Sequence, residues 1–231
     1  MDIRRLWQRE TESFTEAVEI LSRELGTLLP QNPETVLAVG LGNAAMTADA
    51  LGPLSVKHIL PTRHLRENGS PFSSLSSLSV LAAEVVGKTG VEAAEQVSSL
   101  CALLKPDAVI VMDALAGRSI QRVCNTVQLS TAGLVPGSGV GNHRRALTEE
   151  TLGVPVIAVG VPTVVEGATL AMDLLEEAGV SLGESRVLRA GLFVTPKEID
   201  ERVQELARLL GWAVNAAVLG LSAEESAALL G

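Results

Sequence analysis

Apolar positions along the chain fall into two kinds of pattern. Phe14, Val18, Leu21, Leu25 and Leu28 recur at helical spacing with charged residues between them, predicting an amphipathic helix that Pro30 and Pro33 end. Residues 35–41 (TVLAVGL), 107–113 (DAVIVMD) and 155–161 (PVIAVGV) are short, nearly continuous apolar runs, as expected of strands buried on both faces. Residues 126–130 (TVQLS) read as a further strand, and a helix is expected from near Pro53. Serines crowd residues 70–79, which predicts a surface loop before an apolar stretch over 80–86. Thr89 and Glu92 have capping-box spacing. Val91, Ala94, Val97, Leu100, Cys101 and Leu104 would form the inward face of the helix that follows. The Ser/Thr-x-x-Glu spacing recurs at 163–166, 195–198 and 222–225, predicting three more helix starts, with Pro196 in a first helical position. Residues 176–189 read as a polar, glycine-containing connection. Apolar strands alternating with amphipathic helices predict an α/β fold of three layers, α/β/α, around a mostly parallel sheet.

Two of the strands lead into an aspartate, Asp49 through a Gly-Leu-Gly-Asn loop and Asp113 directly. In an open parallel sheet, ligands bind beyond the carboxyl ends of the strands, so two acids delivered there can meet across one cleft. Taken singly, each is equally well read as a helix cap or a turn residue. Both sit in stretches of small residues that let a backbone approach closely, which makes them the candidate catalytic pair.

Composition narrows the function classes. With 231 residues and 47% hydrophobic content, the chain can bury one substantial core, and a single domain over 1–231 is expected. A net charge of −9 argues against a broad phosphate-binding surface, so no direct nucleic-acid partner is expected. The two cysteines, Cys101 and Cys124, have the number and spacing of neither a disulfide framework nor a zinc knuckle. The N-terminus runs into charged residues, and no run approaches the ~18 apolar residues of a membrane span. A cytoplasmic protein without a membrane partner is expected.

Six segments in order, Gly40-Leu41-Gly42-Asn43, Thr47-Ala48-Asp49-Ala50-Leu51-Gly52-Pro53, Thr62-Arg63-His64-Leu65, Asp113-Ala114-Leu115-Ala116-Gly117-Arg118-Ser119, Pro136-Gly137-Ser138-Gly139-Val140-Gly141-Asn142 and Val159-Gly160-Val161-Pro162-Thr163-Val164-Val165, resemble the spore germination protease family. The resemblance runs on to Val194-Thr195-Pro196-Lys197-Glu198-Ile199-Asp200. It implies an aspartate-dependent endopeptidase of the spore core that degrades small acid-soluble spore proteins, with Asp49 and Asp113 as its catalytic acids. It also implies a fold similar to that of the hydrogenase-maturation proteases, and a homotetramer as the assembly. Gly42, Asn43, Arg118, Ser119, Ser138, Gly139, Gly141, Asn142 and Thr163 are then expected to bind substrate, without metal or cofactor. His143, Arg144 and Arg145 form a basic run that either binds acidic substrate side chains or is simply solvated.

Departures from the family pattern accompany the match. The chain starts almost at the first core helix, so control by a removable N-terminal propeptide is not expected. Ala44 replaces a usual aromatic residue, Ala48 stands in the family's Thr-Pro-Asp segment, and Ala83-Glu84 replaces Pro-Gly. Two other readings remain at this point: a metal-dependent maturation-type protease of the same fold, and a non-catalytic or nucleotide-binding α/β protein. The latter rests on Gly40-Leu41-Gly42-Asn43-Ala44-Ala45, which fits G-x-G-x-x-G/A, although Gly52-Pro53 interrupts the helix that motif requires.

Overall fold

The computed structural model describes residues 1–8, 11–66, 70, 72–137, 144–180 and 191–230. Four strands, β1 (Thr35–Leu41), β2 (Ser77–Ala83), β3 (Ala108–Gly117) and β5 (Val156–Glu166), are parallel neighbours. Two short strands, β4 (Gln128–Ser130) and β6 (Phe193–Val194), pair antiparallel with β5. The order is β2-β1-β3-β5-β4, with β6 on β5. From β1 the chain crosses to β2 on one side, then returns past β1 to β3 on the other. The direction of winding therefore reverses between β1 and β3, where an open α/β sheet forms its crevice.

Both faces of this sheet are covered, as its apolar runs predict. Val36, Ala38, Ile110, Met112, Ile157, Val159 and Val161 share a core with helices α1 (Thr11–Leu28), α2 (Leu51–Ser55), α7 (Ile199–Leu219) and α8 (Ala223–Leu230). Leu37, Val39, Leu41, Val109, Val111 and Val156 form the opposite core, with Ala93, Ala94, Val97 and Cys101 of α4 (Ala93–Leu104) and with Leu147. Each fully buried Val, Leu or Ile contributes roughly 1.5–3 kcal/mol of transfer free energy, so the alternating faces of these strands fix the register. The one-turn helices α3 (Val86–Thr89) and α5 (Glu149–Leu152) and the helix α6 (Gly167–Glu177) complete the α-helices among the described residues.

Several element starts differ from the sequence expectation. The serine-rich stretch is not all loop, because β2 begins at Ser77, whose N–H donates to the Glu34 carbonyl at 2.6 Å. The apolar run ends as strand at Ala83, opposite the last residue of β1, and Val86 already belongs to α3. Thr89 does not cap α4: Gly90, at φ 71°, ends α3 there, and the cap is Glu92, whose N–H donates to the Glu95 carboxylate at 3.0 Å. The helix expected at 163–166 is strand, and α6 starts only at Gly167. Pro196 precedes α7, whose N-cap is Glu198, because the Thr195 hydroxyl is committed to the Thr163 carbonyl at 2.8 Å. The connection expected from 176 starts after Glu177, and residues 181–190 of it lie outside the described residues. At 222–225 the capping box forms as expected, with Ser222 N–H donating to Glu225 Oε2 at 2.8 Å and Glu225 N–H to Ser222 Oγ at 3.1 Å.

Candidate active site

Beyond β1 the chain makes a turn that returns on itself. Asn43 N–H donates both to Asp49 Oδ2, at 2.9 Å, and to the Asp49 carbonyl, at 3.2 Å. Asn43 Oδ1 accepts from Ala45 N–H at 3.0 Å, and its carbonyl from Met46 N–H, also at 3.0 Å. Gly42 makes this closure possible. Its φ is +129°, and a Cβ there would lie 2.0 Å from the Asp49 carbonyl oxygen. Thr47–Asp49 form a single 3-10 turn, and the five-residue α2 follows, packed so closely that a Cβ on Gly52 would meet Leu41 O at 2.3 Å and Met112 O at 2.6 Å. A dinucleotide fold would need a long helix opening directly from the glycine loop. This chain has a 3-10 turn and the Pro53 helix in that place.

Asp113 does not end its strand, contrary to the sequence expectation, since β3 continues to Gly117 alongside β5. Pairing between β1 and β3 stops at Gly40 and Met112, so Asp113 is the first residue of β3 with no β1 neighbour. That gap, at the reversal of winding, is the edge from which the Asn43–Asp49 turn departs. Strand alternation puts Asp113 on the same face as Val109 and Val111, above the core shared with α4.

The two carboxyls sit in unlike surroundings. Asp113 is 7% exposed, and burial, reinforced by the charge of Asp49, pushes its carboxyl up to about 8, against the Ala114 backbone N–H and the positive charge of Arg144. Asp49, half-buried, is also raised by burial. The Asn43 N–H and Arg144 act to lower it, and the charge of Glu84 to raise it further. Burial thus favours the protonated form of Asp113, while the Asn43 N–H favours the charged form of the more accessible Asp49, and the two titrations are coupled. One acid that keeps its proton beside one that favours its charge is what polarising a carbonyl and taking a proton from water require.

The expected substrate-binding residues divide into groups. Gly42 and Asn43 shape the Asp49 turn. Arg118 is exposed and Ser119 caps a 3-10 turn by accepting from Gln121 N–H at 3.4 Å. Arg118 directly follows β3, five residues on from Asp113, about 17 Å of extended chain at ~3.3 Å per residue. Thr163 is 1% exposed and lies beneath the site; its hydroxyl donates to the Ala48 carbonyl at 2.6 Å. Ser138, Gly139, Gly141 and Asn142, with His143, lie outside the described residues.

Glu84, whose charge acts on Asp49, and Arg144, whose charge acts on both aspartates, are not expected beside the pair from the sequence. The only signals were a departure from the family pattern at Glu84 and membership of a basic run at Arg144. His58 packs on α7 at Gly211, where an added Cβ would lie 2.5 Å from the histidine Cβ, and His64 is exposed. Cys101 and Cys124 are both buried and unpaired, as expected of Cys101. Among the described residues, no group of three or more His, Cys, Asp or Glu side chains is placed to hold a metal ion. Nor is any single helix among them long and apolar enough to cross a membrane.

Comparisons with known sequences agree on one family. A sequence model described as germination protease matches residues 1–187. The germination protease of Caldanaerobacter subterraneus subsp. tengcongensis is 37% identical over 97% of this chain and 79% of its own. That of Clostridium perfringens strain SM101 is 38% identical over 82% of this chain and 67% of its own, and that of Bacillus pumilus 33% over 91% and 74%. Among solved structures, a NiFe hydrogenase maturation protease, HycI, from Thermococcus kodakarensis KOD1 matches with a TM-score of 0.46 and 20% identity, over 83% of this chain and 99% of that one.

Proposed function

Because this chain belongs to the germination protease family, we propose that it is an endopeptidase that hydrolyses small acid-soluble spore proteins in the spore core, with a water activated between Asp49 and Asp113. The observation that carries the reading is the placement of the pair. Asp113 is buried at the first β3 position beyond β1, Asp49 stands on the turn leaving β1, and the charge of Asp49 is felt at Asp113.

Two carboxyls so coupled share one proton over a useful pH range, because the second ionisation would place like charges together in a poorly solvated site. The ionised member takes a proton from water as the water attacks the peptide carbonyl. The protonated member donates to the carbonyl oxygen and, as the tetrahedral intermediate collapses, a proton passes to the leaving nitrogen. No covalent enzyme intermediate is needed. Burial favours Asp113 as the proton holder at neutral pH and the more accessible Asp49 as the carboxylate. The Asn43 N–H supports this division, since its hydrogen bond to Asp49 Oδ2 favours the charged form. A homotetrameric assembly is part of the same proposal.

Cleavage of a purified small acid-soluble spore protein by Asp49→Asn and Asp113→Asn variants tests the reading. Each is expected to lose at least the ~10²–10⁴-fold that a general acid or base contributes, with the fold intact by circular dichroism and with wild-type activity retained in a strong chelator. Two folded variants that cut within about tenfold of the wild-type rate would make the aspartates structural.

A further inference from the structure

We propose that Arg144 is the counter-cation of the Asp49–Asp113 pair, a positioning residue that holds the pair at one shared proton, with Glu84 acting on Asp49 in the opposite sense. The inference rests on the reading of the two aspartates as the catalytic pair and adds what sets their charge.

The fold confines Arg144 to the face of the sheet that carries Asp113. Leu134 and Leu147 exchange two backbone hydrogen bonds, of 3.0 and 2.8 Å, closing the base of the segment between them. Both leucines pack in the core that contains Val109 and Val111, the β3 residues on the same side as Asp113. Arg144 lies three residues before Leu147, a reach of about 10 Å when extended, so the arginine is tethered over that core. It is half-buried, whereas its neighbour Arg145 is exposed. Its guanidinium makes no hydrogen bond or ion pair with another described residue, and its charge acts on both carboxyls.

Among the described residues, the charges that act on the pair or belong to it come from four parts of the fold. The Asp49 turn supplies one acid and β3 the other. Glu84 is the residue directly after β2, opposite the end of β1, and its Oε2 lies 3.1 Å from Lys88 Nζ. Arg144 supplies the positive charge. A cation beside the pair lowers the pH at which its first proton leaves, so the site holds a base at a lower pH than it would without one. Arginine suits the task because it stays protonated throughout the working pH range.

The experiment follows the carboxyls of carbon-13-labelled aspartate by NMR titration in wild type, Arg144→Ala, Arg144→Lys and Glu84→Gln proteins. The pH dependence of kcat/KM on a spore-protein substrate is measured in parallel. Arg144→Ala is expected to move the titration of the pair and the acid limb of activity to higher pH, by up to roughly one unit. Arg144→Lys should restore most of the shift, and Glu84→Gln should move both readouts to lower pH. Carboxyl titrations in Arg144→Ala that coincide with wild type overturn the assignment, even if activity falls. If Asp49→Asn and Asp113→Asn retain cleavage while the titrations still follow Arg144, the electrostatic assignment stands and the catalytic reading of the pair fails.

Discussion

The Thr163 hydroxyl donates a 2.6 Å hydrogen bond to the carbonyl oxygen of Ala48, the residue immediately before Asp49. A bulge makes this contact possible. Register between β3 and β5 shifts after Leu115, which pairs with Pro162, so that Ala116 pairs with Val164 and Thr163 has no partner on β3. An extra residue in one strand re-aims a side chain, and Pro162, unable to donate to the ladder, sits where regular pairing breaks.

Thr163→Val keeps the shape of the side chain but leaves the Ala48 carbonyl without its donor. The expected cost is about 1–3 kcal/mol in unfolding free energy, with kcat falling more than KM rises because the Asp49 turn loses its fixed position. Thr163→Ser, which restores the hydroxyl, should recover most of kcat. Steady-state kinetics beside urea unfolding checks this, and a Val variant with wild-type kcat would show that the contact does not position Asp49.

Gly42 offers a sharper test of the same turn. At φ +129° it occupies backbone space that L residues avoid, and an alanine methyl would collide with the Asp49 carbonyl oxygen, 2.0 Å away. Gly90 has positive φ too, at +71°, but nothing lies within 4 Å of its added Cβ. Gly90→Ala should cost only about 1–2 kcal/mol, the penalty of the left-handed conformation, and leave cleavage unchanged. Gly42→Ala should lower cleavage by tenfold or more, because the collision displaces Asp49 itself; a 1 Å misplacement can cost on the order of 10²-fold. Equal activity in the two variants would show that the turn tolerates repositioning.

The turn that carries Asp49 was legible in the sequence, because an apolar run followed by Gly-Leu-Gly-Asn reads as a buried strand opening into a tight turn. The extent of β3 was not. Ala114, Ala116 and Gly117 have low strand propensity, and the strand continues through them only because β5 lies alongside. Nor does Ser/Thr-x-x-Glu spacing separate a real cap from a coincidence: it marks the start of α8 at Ser222, yet at Thr163 it falls on a strand bulge. Arg144 and Arg145 are adjacent and chemically identical, so the sequence does not distinguish the half-buried arginine from the exposed one.

Asp113 makes a prediction about stability as well as chemistry. Its carboxyl is pushed up to about 8 by burial and by Asp49, whereas in the unfolded chain it titrates near the ordinary value of ~4. Between those two values the folded protein keeps a proton that the unfolded chain releases, so unfolding free energy from this group falls as pH rises through the window. Its contribution is fully present below pH ~4 and is gone above about 8. Asp49, also raised, acts in the same direction. Asp113→Asn, nearly isosteric and unable to ionise, removes the Asp113 part. Urea unfolding from pH 4 to 8 should find variant and wild type similar at the acid end and the variant more stable at the alkaline end, by on the order of a few kcal/mol. Parallel curves would mean that Asp113 ionises as freely in the folded protein as in the unfolded chain, and would overturn the prediction. A variant that gains stability at pH 8 while losing cleavage would locate the cost of the site in the same proton that its chemistry uses.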